Sequence, residues 1–298
     1  MGELKHDKWV GTTYGNGWMH RRLITALRFI DVRVLYAFAS VFVVPPTLIV
    51  NGKARRTMYS FFRQRLGYGR LRAAWSTYRN HCAFSQVVID RFAMYAGKKF
   101  GIDIDGYDIF STLSKQPGGF IQLSSHIGNY ELAGYSLVAE DKRFNALVFG
   151  GEKASVMANR SKMFDGNNIR MISMMPDMSH LFVIDSALTD GEILSMPADR
   201  VFGSQKAFVV DFMGAPARFP QGAFLLAAMR DVPMLFVSVM KSGLRRYRIS
   251  VHRIPATSEG NTRTRAAALA TEYVKLLEAT VRRYPTQWYN YFDFWAQQ

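Results

Sequence analysis

Apolar positions first gather over residues 34–50, an almost unbroken run interrupted by Ser40, Pro45, Pro46 and Thr47. Such a run lies at the short end of what crosses a hydrocarbon core of roughly 30 Å. Pro45-Pro46 is expected to break the helix near its end, because proline lacks an N–H and clashes with the preceding turn. A kinked, monotopic or re-entrant membrane-anchoring helix is therefore expected in place of a clean span. Further on, Trp75, Tyr78, Cys82, Val88, Phe92 and Tyr95 recur at helical spacing and predict an amphipathic helix from Arg70 to Tyr95. The pattern then alternates, with strands expected over 100–104, 119–123, 145–149, 169–174, 193–196, 207–212 and 234–240. Helices are expected between them over 129–139, 153–164, 178–188 and 222–229. This alternation predicts an α/β fold, a mostly parallel central sheet flanked by helices.

Two later segments refine the picture. Tyr247, Ile249 and Val251 alternate with Arg248, Ser250 and His252, as in a strand toward a sheet edge with one wet face. Leu269, Tyr273, Leu276, Leu277, Thr280, Val281 and Tyr284 form one stripe of a closing helix over 264–284. There is no internal repeat and no Ser/Pro-rich linker, so one catalytic domain is expected over 71–298, behind an N-terminal basic membrane-anchor region over 1–70.

Charge sharpens that division. The 298 residues hold 38 Lys and Arg against 23 Asp and Glu, and within residues 1–100 the balance is 17 against 4. The basic excess thus belongs to the first third, where Arg21, Arg22, Arg28 and Arg33 precede the apolar run and Lys53, Arg55 and Arg56 follow it. Cations bracketing a greasy helix suit an anionic membrane surface better than nucleic acid, which calls for an aromatic stacking face. Basic residues on both flanks leave the orientation open. The first ten residues lack a secretory pattern. With Cys82 the only cysteine there is neither a disulfide nor a thiolate cluster for a metal, and a cytoplasmic-facing location is expected.

In α/β sheets ligands collect at the carboxyl ends of strands. The loop after the expected strand over 119–123 reads Ser124-Ser125-His126-Ile127-Gly128-Asn129-Tyr130-Glu131. Five residues of regular helix rotate about 140°, so His126 and Glu131 meet only if the loop folds back, for which Gly128 gives the freedom. Glu131 would then fix the tautomer of His126, whose other nitrogen would take a proton from an incoming hydroxyl.

The stretch from Ser124 to Gly134 resembles the first motif of glycerolipid and lipid A acyltransferases, with its His followed five positions later by an acid. Its His-x-Gly-Asn-aromatic-Glu form is most similar to the late acyltransferases of lipid A biosynthesis. Gly191 to Arg200 resembles that family's strand ending in Pro-x-Asp, and Val209 to Ala217 with Phe219-Pro220-Gln221-Gly222 resembles its later segments. Trp9-x-Gly11-x-Thr13 and Pro285-Thr286-Gln287-Trp288-Tyr289 also fit. The resemblance implies a lysophospholipid-acyltransferase-like fold and a bacterial inner-membrane enzyme working at the cytoplasmic face. It implies acyl transfer from an acyl carrier protein thioester to a hydroxyl of a lipid A precursor, with no metal, nucleotide or other cofactor. On this reading His126 is the general base and Glu131 its partner. Gly128, Asn129, Arg160, Asp199 and Arg200 are substrate-binding, and Asn129, Arg200 and the backbone N–H groups at the helix start are candidate donors to the oxyanion.

Two departures bear on the acceptor. Asp199 is followed by Arg200 where many lipid A enzymes have Gln, and the 219–222 segment lacks the Glu of the Phe-Pro-Glu-Gly motif in glycerol-phosphate acyltransferases. An amino-acid lipid or a polyene lipid is the alternative acceptor. A hydrolase would call for a Gly-x-Ser-x-Gly elbow, which is missing. A non-enzymatic membrane-surface protein would leave the 124–131 loop unexplained.

Overall fold

Parallel strand pairing organises the chain. The structure, a computed structural model, describes residues 17–137, 139–149, 168–174, 179–201 and 206–295. The main sheet has the order β1-β9-β8-β2-β5-β3-β4, where β1 is Gly101–Asp105, β2 Phe120–Ser124, β3 Phe144–Phe149, β4 Ile169–Met174, β5 Ile193–Pro197, β8 Met234–Gly243 and β9 Arg246–Arg253. Only β8 with β9 pairs antiparallel; the other pairings in this sheet are parallel. The expected edge strand is β9, and it does alternate buried Tyr247, Ile249 and Val251 with wetter neighbours, but β1 lies outside it. β2 is buried at every position, as a central parallel strand covered on both faces must be.

Alternation along β2 and β8 feeds two cores. Ile121, Leu123, Met234 and Phe236 join one with helices α8 (Gly222–Arg230) and α9 (Thr262–Arg283), while Phe120, Leu235, Val237 and Val239 join the other with α5 (Tyr107–Ser114). The segment expected at 207–212 is not part of the main sheet. It forms a hairpin, β6 (Ala207–Phe212) with β7 (Ala215–Pro220), across Met213 and Gly214, both at positive φ as a tight two-residue turn requires. The helix expected over 153–164 lies outside the described residues.

At the N-terminal end, α1 (Gly17–Phe29) and α2 (Val32–Val50) precede α3 (Gly52–Ser60) and the long α4 (Arg70–Tyr95). With a mean hydropathy of 1.8, α2 is long and apolar enough to cross a membrane. Pro45-Pro46 does not end it. Residues Ala39–Val43 wind as a π-turn, and the prolines fall at the first positions of the following α-helical stretch, where their missing N–H groups cost little. Val32, Tyr36, Ala39 and Val44 are buried, while Phe38, Val41, Phe42, Ile49 and Val50 are exposed.

The buried side of α4 differs from the expected stripe: Trp75 faces outward, and the inner face carries Ser76, Thr77, Asn80, His81 and Asp90 among its apolar residues. Asp90 is fully buried. It accepts hydrogen bonds from Tyr36 of α2 and Tyr247 of β9 and forms an ion pair with Lys241 of β8. Removing one partner of such a pair leaves an uncompensated charge away from water. Asp90→Ala is therefore expected to lower the unfolding free energy by about 3–5 kcal/mol, read by denaturant titration.

Candidate active site

β2 and β5 pair in register, with Ser124 opposite Pro197, and the Ala198 N–H donates to the Ser124 carbonyl at 3.0 Å. Their outgoing loops therefore begin side by side. Asp199, almost fully buried, accepts from the His126 backbone N–H through Oδ2 and meets His126 Nδ1 through Oδ1, both at 2.8 Å. A carboxylate at Nδ1 places the proton on that nitrogen and leaves Nε2 able to accept one.

Here the structure departs from the expected pairing. The carboxylate on His126 Nδ1 is that of Asp199, not Glu131. Glu131 forms an ion pair with Arg91 of α4 at 3.1 Å. The helix expected over 129–139 is also reduced, to a 3-10 turn Tyr130–Leu132 and a single short turn α6 (Ala133–Ser136), so Glu131 does not sit one turn into a long helix. Arg91 was not singled out from the sequence, where it is one basic residue among many. Its signal is position: it lies one residue after Asp90 on a helix that crosses behind the loop.

Burial, and next to it Arg200, lower the His126 imidazole below its ordinary value, against the pull of Asp199. Burial pushes the Asp199 carboxyl up, but His126 and Arg200 outweigh this and hold it below the usual carboxylate range. The resting pair is thus a neutral imidazole on a carboxylate, the state a general base needs. The Tyr130 ring stands edge-on to the imidazole, with centroids 5.3 Å apart. Arg200 donates through Nη2 to the Tyr289 carbonyl at 2.8 Å, with its guanidinium 5.2 Å from the Phe292 ring.

The loop itself is pinned on both sides. Gly128 N–H donates to the Gln287 carbonyl and Asn129 N–H to the Val239 carbonyl, each at 2.8 Å, and Tyr289 N–H donates to the His126 carbonyl at 3.1 Å. The N–H groups of His126, Gly128 and Asn129 are thereby committed to the fold. Arg200 keeps a charged group at the site. Gly128 has φ +59°, and a Cβ there would lie 2.0 Å from the Val239 carbonyl oxygen. Asn129 is fully buried against the same strand. Arg160 and the Trp9-x-Gly11-x-Thr13 segment lie outside the described residues.

A polar cavity of about 460 Å³ opens at the opposite ends of the strands, lined by Pro117, Lys142 and Glu192 among others. Lys142 donates there to the carbonyls of Pro117, Gly118 and Gly191, which ties strand starts together. Among the described residues no group of three His, Cys, Asp or Glu side chains is arranged to hold a metal ion.

Residues 93–295 match the family described as bacterial lipid A biosynthesis acyltransferase, a span that contains His126, Glu131, Asp199 and Arg200. The chain belongs to this family. It is an acyltransferase acting in lipid metabolism, with an acyl donor and a lipid acceptor as substrates. No curated protein matches the chain. Among solved structures, the crystal structure of the 1-acyl-sn-glycerophosphate (LPA) acyltransferase PlsC from Thermotoga maritima is similar over 92% of this chain and 99% of that one, at 12% identity and a TM-score of 0.40.

For this acyltransferase, Asp199→Asn is expected to cut kcat roughly 10²–10⁴-fold through the wrong imidazole tautomer, measured by product formation with the fold checked by circular dichroism. Glu131→Gln and Arg91→Gln should share one defect, with the double variant no worse than either single one. Gly128→Ala is expected to lose activity and stability together, since both the positive φ and the Val239 carbonyl oppose a side chain.

Proposed function

We propose that the enzyme transfers a fatty acyl chain from an acyl carrier protein thioester to a hydroxyl of a membrane lipid acceptor such as a lipid A precursor, with His126 as general base. The observation that carries this reading is the His126 imidazole held at Nδ1 by the buried Asp199 carboxylate at 2.8 Å, with the Arg200 charge nearby. In the forward step His126 Nε2 takes the acceptor hydroxyl proton, and the oxygen attacks the thioester carbon. Arg200 stabilises the developing oxyanion, in a buried setting where a charge counts for more than in water. The C–S bond then breaks, and the thiolate leaves with the proton from the imidazolium, giving an ester and a free thiol. Gly128 and Asn129 shape the loop around the reacting groups, and no cofactor takes part in these steps.

The setting follows from the first third of the chain. Residues 1–70 serve as the basic membrane-anchor region and 71–298 as the catalytic domain, at the cytoplasmic face of a bacterial inner membrane. One side of α2 packs on α4 while the other is apolar and exposed, which favours a helix lying in the interface over one that spans alone. Acyl carrier protein is acidic, and the anionic leaflet and this donor are both drawn to the basic end.

The test is transfer of labelled acyl chain from acyl carrier protein to a total membrane lipid extract by wild type and folded His126→Ala. A labelled lipid that disappears in the variant supports the reading and delivers the acceptor. An amino-acid lipid or polyene lipid as product replaces the lipid A precursor, and equal labelling by both proteins removes His126 as the base. In wild type, kcat/KM against pH is expected to fall on the acid side with an apparent pKa below the roughly 6.5 of an unperturbed imidazole. Arg200→Gln removes a cation that disfavours protonation and should move this limb to higher pH.

A further inference from the structure

The groove between the end of α2, α3 and the start of α4 has no part in the chemistry above. It encloses about 230 Å³ and is lined by Leu48, Arg55, Arg56, Tyr59, Ala74 and Thr77. Its floor is apolar, and Arg55 and Arg56 are exposed at its rim, with no acidic partner among the described residues. The surface around it is unusually greasy for one facing water: Val50 is 86% exposed, Leu71 88% and Trp75 59%. Trp75 stacks on Tyr78 at 5.3 Å, and the Tyr78 hydroxyl donates to the Ser40 carbonyl of α2 at 3.0 Å, which joins the start of α4 to the anchor as one face. Trp and Tyr beside apolar residues and arginines are the composition of a membrane interface.

We infer that this groove is a binding site for one anionic phospholipid, its phosphate held by Arg55 and Arg56 and its chains running over Leu48, Val50 and Leu71 into the bilayer. The inference rests on the membrane-bound reading and deepens it from a diffuse charged surface to a discrete site. A free phosphate would use the cations but not the apolar floor. An apolar peptide would use the floor but leave the two rim arginines without an anionic partner. An amphiphile with an anionic head satisfies both. The volume is below the roughly 300–1,000 Å³ of sites that enclose a whole ligand, so it accommodates the glycerol end of a lipid and leaves the chains outside. The start of α4 thereby becomes a second membrane-contact element, and α2 is not the sole one.

Binding of the full chain to phosphatidylcholine vesicles with and without phosphatidylglycerol tests this without any turnover. A diffuse field makes any two nearby arginines equivalent, at about fivefold in affinity for each charge removed. A site does not. Arg55→Gln/Arg56→Gln is expected to lose at least tenfold more affinity for the anionic vesicles than the charge-matched Arg70→Gln/Arg72→Gln. Ala74→Leu, which fills an exposed part of the groove and alters no charge, should weaken binding to anionic vesicles about tenfold and leave binding to phosphatidylcholine unchanged. Equal losses from the two arginine pairs, or wild-type binding by Ala74→Leu, overturn the site while leaving a membrane-bound enzyme. Wild-type protein that binds neither vesicle overturns the membrane reading and the groove with it.

Discussion

Parallel pairing of β2 with β5 sets Ser124 opposite Pro197, so the two strands end at one level and hand their loops to adjacent positions. Two residues past each strand end stand His126 and Asp199, joined by two contacts of 2.8 Å. Because side chains alternate between faces, a slip of one residue in this register would turn the carboxylate to the other face of the sheet. Both strands are held against that slip by burial on both faces, with Leu123 and Leu194 in one core and Phe120 and Ile193 in the other. The catalytic geometry is thus a consequence of sheet packing, which supplies its rigidity.

The loop between β2 and the Tyr130 turn uses its backbone to keep its own shape. Bridges to β8 and to the segment around Trp288 take the N–H groups of Gly128 and Asn129. In the proposed mechanism the charge that develops during acyl transfer is met by the Arg200 side chain. This gives weight to the Asp199-Arg200 pair: the first residue meets His126 Nδ1 and the second places a cation near the imidazole. It also explains why the C-terminal segment belongs to the site although it carries no proposed chemistry, since Gln287, Trp288 and Tyr289 supply the loop's outer wall.

Periodicity in the sequence revealed the βαβα rhythm, the central strands and the long closing helix, because burial on one or two faces leaves a direct trace in residue type. The His126 loop was legible through its motif. What the motif hid was the partner. The motif pointed to Glu131, five residues away, whereas Asp199 comes from 73 residues further on and meets His126 only through a strand pairing that no local pattern encodes. The same limit applies to α4, whose stripe was drawn through Trp75 because large apolar side chains are read as buried. The true inner face carries Asn80, His81 and Asp90, and Asn80 and Asp90 are tolerated there because partners from other elements, Lys241, Tyr247 and the carbonyls of Thr286 and Trp288, meet them, while His81 bonds to the Thr77 carbonyl of its own helix.

That polar face of α4 also decides how α2 and the His126 loop relate. Tyr36 of α2 reaches Asp90, Asp90 holds Lys241, and the Lys241 backbone exchanges two hydrogen bonds with the Gln287 side chain at 2.9 Å each. The Gln287 carbonyl in turn receives the Gly128 N–H two residues from His126. The path from the apolar helix to the imidazole is therefore a chain of buried and part-buried polar contacts. A buried charge pair is a poor way to gain stability, because desolvation consumes most of the attraction, but it is highly selective for geometry. Apolar packing alone would let α2 slide along α4. The Tyr36–Asp90–Lys241 contacts fix its position, and with it the position of the His126 loop relative to α2.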